Sequence, residues 1–437
     1  MRIAVIGGGW AGLAAAVTAA EGGAEVVLFE AGRVLGGRAR SLALATANGT
    51  LTLDNGQHLL LGAYRDTLDL MRRVGVDPEA VLLRRPLAVV DDEGFCLRLP
   101  SLPAPWPPAL ATAWGLLSAS TVNLPEKLKT ALWMRRVQGQ GFVVDDGLTV
   151  AEWLDAAGQH GRLRRHLWEP LCLAALNTPP GRASARLFAH VLRDSLGSSR
   201  RGDTDLLLPR VPFGRLLPEP AANWLRQRGA EIRTGHRVTR LQPRAAGVDI
   251  DGEPFTAAIL ATSAPHAARL CPEVIVPEAW EPIATVYLRY PTGFRLPEPL
   301  ISLSGRSEGG QKIGPFWAVD RGIGLDPAEQ GVVAAVISAH GDWERLEDAA
   351  LAAAVCAELA CLPGVPAGAE CLRVIRERRA TFSSRPGLRR QGVQTSSPHL
   401  FVAGDYCWAD YPATLEGAVR SGLAAARRAL VAARDIG

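Results

Sequence analysis

The chain has 437 residues, 48% of them hydrophobic and 21% charged, and a formal net charge of +4. That balance describes a folded protein with large cores, about two or three domains by length, and excludes a disordered chain. Its basic charge is nearly all arginine, with lysine only at Lys127, Lys129 and Lys312, and no basic stripe interleaved with aromatics marks a nucleic-acid partner.

Seven cysteines (Cys96, Cys172, Cys271, Cys356, Cys361, Cys371 and Cys407) include no CxxC pair. Their spacing suits neither a zinc site nor a disulfide framework, so no metal is expected and a reducing cytoplasm is the simpler location. The apolar N-terminus lacks the charged n-region of a signal peptide. No stretch reaches ~18 uninterrupted apolar residues, so no transmembrane helix is expected.

From the N-terminus, Arg2 to Ile6 is an apolar run of the kind that fills a buried parallel strand. Gly7-Gly8-Gly9-Trp10-Ala11-Gly12 follows in GxGxxG spacing, then an Ala-rich helix over Leu13 to Glu21. A second strand runs from Glu25 to Phe29 and ends at Glu30 and Ala31. Each part has a task in holding a dinucleotide. Gly7 permits the tight turn, Gly9 brings backbone to the pyrophosphate, and Gly12 lets helix and strand pack closely. The helix N-terminus, opening near Trp10 and Ala11, offers unpaired N–H groups to phosphates. Glu30 can accept from ribose hydroxyls. A bare GxGxxG would also describe any glycine-rich turn; strand, turn, helix, strand and acid in this order point to a nucleotide.

Directly after the acid comes Gly36-Gly37-Arg38-Ala39-Arg40-Ser41. The glycines allow backbone near a diphosphate, and Arg38 adds positive charge there; the plainer alternative is a surface turn with a solvated arginine. The stretch resembles the GG-R-x-x-S/T extension of two-dinucleotide-binding-domain flavoproteins, a superfamily that includes amine oxidases and phytoene desaturases, and so implies FAD. Next come Asp54-Asn55-Gly56-Gln57-His58 and the unusual region Leu102 to Val137, with Trp106, Trp114 and Trp133 among Pro, Ala and Leu and basic residues near its end. This region reads either as a helical cap buried over a substrate tunnel or as a helix resting in a membrane interface. Trp168 to Pro179 (WEPLCLAALNTP) reads as a helix that Asn177 ends before Pro179-Pro180.

Further on, Glu231 to Leu241 alternates like strands and continues through Val248 to Ile250. Ala257 to Thr262 is a buried strand, and Glu281 to about Arg379 forms a strand-rich block. Leu400 to Val402 is a last strand, ending in Gly404-Asp405, and Tyr411-Pro412-Ala413-Thr414-Leu415-Glu416-Gly417-Ala418 leads into a C-terminal helix. A helix N-terminus there would stabilise negative charge on a reduced flavin ring.

With the DNGQH, WEPLCLAALNTP and YPATLEG segments together, the chain resembles the squalene-associated FAD-dependent desaturase family, whose members act as hydroxysqualene dehydroxylases in bacterial hopanoid synthesis. The resemblance implies an α/β fold, a Rossmann-like FAD-binding domain interleaved with an α+β substrate domain. The FAD-binding parts would be residues 1–85, 206–275 and 391–437, and the substrate-binding parts 86–205 (helical) and 276–390 (sheet). It places Asn55, Gly56, Gln57 and His58 beside the flavin ring, a backbone contact to adenine at Val238, and Asp405 on a ribitol hydroxyl, with Thr262, Gly404, Thr414, Leu415 and Ala418 also at the cofactor. It further implies that reduced flavin delivers hydride to hydroxysqualene as the hydroxyl leaves as water, giving squalene. An external electron donor is expected, because no second GxGxxG is present.

Candidates for the proton donor are His58, Asp410 and Tyr411. Their plainer roles are a ring packed beside the flavin, a turn acid and a wall. Glu416 fits the helix dipole better than an acid's role, and Asn177 either touches substrate or only ends its helix. The alternatives to a dehydroxylase are a phytoene or carotenoid-type desaturase and, from another class, a non-catalytic FAD-containing prenyl-lipid escort. The expected location is the cytoplasm, with residues 102–137 as the point of any peripheral membrane contact.

Overall fold

The computed structural model describes residues 1–46, 49–101, 106–305 and 312–434. Five strands form a parallel sheet in the spatial order Glu231–Thr234, Glu25–Glu30, Arg2–Ile6, Ala257–Leu260, Leu400–Val402. Ile3, Ala4, Val5 and Ala257 to Leu260 are fully enclosed, because a parallel sheet is covered on both faces; this is why these strands read as continuous apolar runs.

The first helix, Trp10–Glu21, starts three residues earlier than its alanines suggest, with Gly9 as an extended N-cap. Two glycines make this start possible. Gly7 has φ +113°, and a Cβ there would lie 2.6 Å from the Ala261 carbonyl oxygen. A Cβ on Gly12 would lie 1.8 Å from the Gly7 oxygen, so any side chain would push the helix off the strand. The C-terminal helix, Leu415–Arg434, packs against the first through small residues, with Gly422 close to Ala11.

A second, antiparallel sheet has the order Leu300–Leu303, Phe316–Asp320, Val332–Ser338, Trp280–Arg289, Glu370–Phe382. Helix Asp348–Ala360 covers one face, where Val286, Leu288 and Ile337 meet Leu351, Val355 and Leu359. On the other face Tyr287, Val319 and Ala334 join a helical layer that includes Leu187, Phe188 and Leu192 of helix Ala185–Asp194. The architecture is α/β, with the antiparallel sheet inserted in the chain between the fourth and fifth strands of the parallel one.

Two regions differ from the sequence reading. The strand expected over Glu231 to Leu241 ends at Thr234, where Gly235 (φ +72°) turns the chain out of the sheet; Val238 lies in the irregular stretch before Leu241–Arg244. The region 102–137 forms two helices, Pro108–Ser118 and Leu124–Gly139, while 102–105 lie outside the described residues. Asn123 caps the second by accepting from the Glu126 N–H at 2.9 Å.

Candidate active site

A cavity of about 1000 Å³ opens along the C-terminal ends of the parallel strands and continues against the antiparallel sheet. Gly7, Glu30 and Ala31, Thr262, and Gly404 and Asp405 each lie at or just beyond the end of a strand and line it, as open parallel sheets dictate. Gly9, Trp10, Ala11, Gly36, Gly37, Arg38, Asn55, Gly56, Gln57, His58, Val238, Tyr411, Thr414, Leu415 and Ala418 line it too. Gly12 and Asp410 do not. Gly12 acts behind the wall, in the helix contact described above. Asp410 is 58% exposed, and its nearest charge partner is His190 at 3.8 Å, so the structure does not bring this candidate acid to the cavity.

The nucleotide end is built from backbone. Gly36 N–H donates to the Gly8 carbonyl at 2.8 Å, and Gly9 and Gly36 form a β-bridge, so the two glycine segments lie side by side. A Cβ on Gly9 would meet only the Gly37 Cα, at 3.9 Å, leaving open backbone where phosphates approach. The first helix has neither a side-chain cap nor an acid in its first turn, so its N–H groups stay available. Glu30 is fixed by accepting from the Gly8 N–H (2.7 Å) and the Gly32 N–H (2.6 Å).

Arg38 is not free to serve a phosphate alone. Its guanidinium pairs with Asp405 at 2.7 Å and donates to the Ala380 carbonyl at 2.6 Å. Burial pulls the Arg38 pKa down, but the Asp405 carboxylate more than offsets this, and the net shift is upward. The two residues read separately as cofactor contacts thus form one bridge across the cavity wall. Arg390, which sequence reasoning missed, supports it from behind by donating to the Asp405 carbonyl (2.6 Å) and the Tyr411 carbonyl.

The Asn55 to His58 segment is held from the protein side. Asn55 donates to the Arg38 carbonyl (3.2 Å). Gln57 accepts from Arg321 (3.2 Å) and donates to the His58 carbonyl (3.1 Å). Arg321 is itself buried, paired with Glu329 at 2.5 Å and with Asp54 at 3.5 Å. Burial pushes Glu329 up to about 7 despite Arg321. Around Gly56, His58 Nε2 and Thr285 Oγ1 are buried without hydrogen-bond partners. Burial, helped by the Arg38 charge, lowers His58 to about 4, so its imidazole is neutral at physiological pH.

Near the start of the C-terminal helix, Tyr411 donates to Asp194, which also accepts from Arg193 at 2.7 Å. Burial opposes ionisation of Asp194, but these two bonds outweigh it and hold the carboxyl below its ordinary value. Burial and the same bond to Asp194 push the Tyr411 phenol up. Glu416 turns away from the cavity, accepting from the Asp66 and Thr67 N–H groups at the start of helix Arg65–Arg73 and from Arg420. Asn177 lines the cavity and also ends its helix, in the left-handed conformation, with its amide tied to Thr381 and Ala339. Among the described residues no group of three or more His, Cys, Asp or Glu could hold a metal ion.

Open glycine backbone at a helix N-terminus, an acid where a ribose would sit, and two unpartnered polar atoms farther along suit a long dinucleotide with a ring at one end. The site is that of a flavoprotein oxidoreductase. Residues 10–430 match the flavin-containing amine oxidoreductase family. A hydroxysqualene dehydroxylase from Rhodopseudomonas palustris is 31% identical, with 98% of each chain covered, and one from Zymomonas mobilis is 26% identical over the same shares. A zeta-carotene desaturase from Synechocystis is 24% identical over 98% of this chain and 97% of its own. Among solved structures, an oxidoreductase from Methanosarcina mazei superposes with a TM-score of 0.69 at 14% identity, covering 97% of this chain and 99% of its own, which shows a shared fold. The chain belongs to the flavin-containing amine oxidoreductases and, within them, to the squalene-associated FAD-dependent desaturase and hydroxysqualene dehydroxylase family. It is an FAD-dependent oxidoreductase.

Proposed function

We propose that the protein reductively removes the hydroxyl of hydroxysqualene, giving squalene and water, with electrons from an external donor. The observation that carries this reading is the apolar continuation of the cavity. Beyond His58, its wall includes Leu61, Leu87, Val89, Leu171, Leu192, Leu206, Trp317 and Ile375, with few polar groups between them. Such a largely apolar stretch suits a long hydrocarbon chain. Bound FAD supplies the two-electron redox chemistry. The protein's own residues bind the chain, keep water away from it and place a proton.

Tyr411 is the proton donor on this reading. Tyr411 lines the cavity and its hydroxyl is held in place by Asp194, whereas His58 is neutral and Asp410 lies outside. As the C–O bond weakens, the Tyr411 O–H turns from Asp194 to the departing oxygen and protonates it, and the ionised Asp194, still paired with Arg193, opposes the positive charge left on the chain.

The test is anaerobic. The purified flavoprotein is photoreduced, hydroxysqualene is added, and reoxidation is followed in the visible spectrum while squalene is measured by mass spectrometry. Stoichiometric squalene is the expected result. An absence of reoxidation, combined with bleaching of the oxidised protein by phytoene, would replace this reading with the desaturase one. A flavin inert toward both lipids would favour the escort.

A further inference from the structure

The helices Pro108–Ser118 and Leu124–Gly139 are two-faced in a way the cavity does not use. Their inner sides are anchored: Leu116, Ala119, Trp133 and Val137 are buried in the helical core, where Trp133 meets Trp153 and Trp168 edge-on at 5.0 and 5.3 Å. No described residue of either helix lines the cavity, so they are not a cap over it.

Their outer sides carry large apolar groups in water. Trp114 is 63% exposed and Leu132 69%, with Leu110, Leu117, Leu124 and Leu128 between 43% and 58%. The spacing explains the stripe. Leu110, Trp114 and Leu117, and likewise Leu124, Leu128 and Leu132, recur every three or four residues on one helical face. Exposed Arg135 and Arg136 continue the second stripe, and Lys129 is exposed nearby. The segment from Trp106 to Gly139 has four basic residues and a single acid, Glu126. That acid is engaged inward, accepting from the Leu163 N–H at 2.6 Å.

We propose that this helix pair is a docking surface for an anionic lipid bilayer, lying in the interface rather than crossing it. An apolar stripe ending in cations matches acyl chains below a layer of negative headgroups. No described helix is long and apolar enough to span a membrane. A second copy of the chain would bring the same excess of basic residues to a shared two-fold interface. The surface also sits close to the cavity: Arg201 donates to the Trp106 carbonyl, and Thr204, three residues on, lines the cavity.

The experiment is flotation of the flavin-loaded protein with phosphatidylglycerol-containing vesicles and with pure phosphatidylcholine vesicles, alongside light scattering without lipid. It reads no turnover, so its outcome is separate from that of the substrate assignment. The wild type should co-float with anionic vesicles, and the variant Trp114→Ser/Leu128→Ser/Leu132→Ser should lose at least tenfold in the bound fraction while keeping its flavin absorbance. Lys129→Gln/Arg135→Gln/Arg136→Gln should abolish the preference for anionic vesicles. Failure of the wild type to float, equal flotation of the serine variant, or a wild-type dimer that this variant turns into a monomer would each overturn the proposal.

Discussion

Arg321 is a buried charge with three partners, and Arg321→Met tests what it holds together. Arg321, Asp54 and Glu329 are 2%, 0% and 1% exposed, and one guanidinium serves both carboxylates and the Gln57 amide oxygen. Methionine keeps much of the volume but leaves two carboxylates buried without a cation. Removing one partner from a buried ion pair costs about 3–5 kcal/mol. With an unfolding entropy of roughly 2.1 cal/mol/K per residue, a chain of this length changes by about 0.9 kcal/mol/K, so Tm should fall by roughly 3–5 °C at pH 8 if the chain melts as a unit. The loss has a definite sign with pH. In the variant, burial alone holds both carboxyl groups above their unfolded pKa values. Groups shifted that way contribute stability that is present at low pH and lost as pH rises through the folded value. The deficit should therefore be largest at pH 8 and shrink toward pH 5, and Arg321→Met/Glu329→Gln should recover at least half of it at pH 8. Thermal melts of the holoprotein followed by circular dichroism measure all of this. A deficit below about 1 kcal/mol at pH 8, or one unchanged between pH 5 and 8, would refute the reasoning.

Tyr411→Phe should lower the single-turnover rate by about a hundredfold with FAD content unchanged; a rate within threefold of wild type excludes the phenol as donor. Asp194→Asn, which keeps a hydrogen-bond acceptor but removes the charge, should also slow that rate by at least tenfold, and an unaffected rate would dismiss the electrostatic role of the carboxylate. His58→Gln should flatten part of the acid side of the stability curve. The His58 pKa is depressed to about 4, so its contribution is present above the unfolded value near 6.5 and lost as pH falls toward 4, amounting to about 3 kcal/mol. Denaturant titrations at pH 7 and pH 4.5 would expose an unchanged slope. Gly12→Val should yield protein with at least tenfold less flavin absorbance per chain, because its side chain has no room against the Gly7 carbonyl; a fully yellow variant would show that the helix can shift.

What the sequence showed of this site was whatever is contiguous in the chain. The turn from Gly7 to Gly12, the acid at Glu30 and the paired glycines Gly36 and Gly37 are local patterns whose physics depends on a few neighbouring residues, and they could be read directly. The parallel strands were legible for a similar reason, since burial on both faces leaves an unbroken apolar run. Pairings across the chain were not legible. Tyr411 and Asp194 lie 217 residues apart, and Asp194 appears in sequence only as the last residue of an amphipathic helix. Arg321 follows an unremarkable strand, and nothing nearby announces that it is buried or that it holds Gln57. The exposed stripe on residues 108–139 has the composition of a buried cap, and only the fold shows which side of each helix faces water.

Three ion pairs border the cavity or its supporting shell: Arg38 with Asp405, Arg193 with Asp194, and Arg321 with Glu329. Their arrangement bears on the choice of acid. Burial disfavours a charge on the His58 ring, and the Arg38 cation nearby adds repulsion, which is why the imidazole stays neutral there. The wall at Tyr411 has the opposite character, with a carboxylate kept ionised beside a phenol that keeps its proton. An imidazolium donor would add positive charge where a cation is forming on the hydrocarbon. A neutral phenol that turns its O–H from Asp194 to the leaving oxygen protonates it and leaves negative charge facing that cation. On the proposed chemistry the Tyr411 wall, rather than the His58 wall, is the side on which the C–O bond breaks.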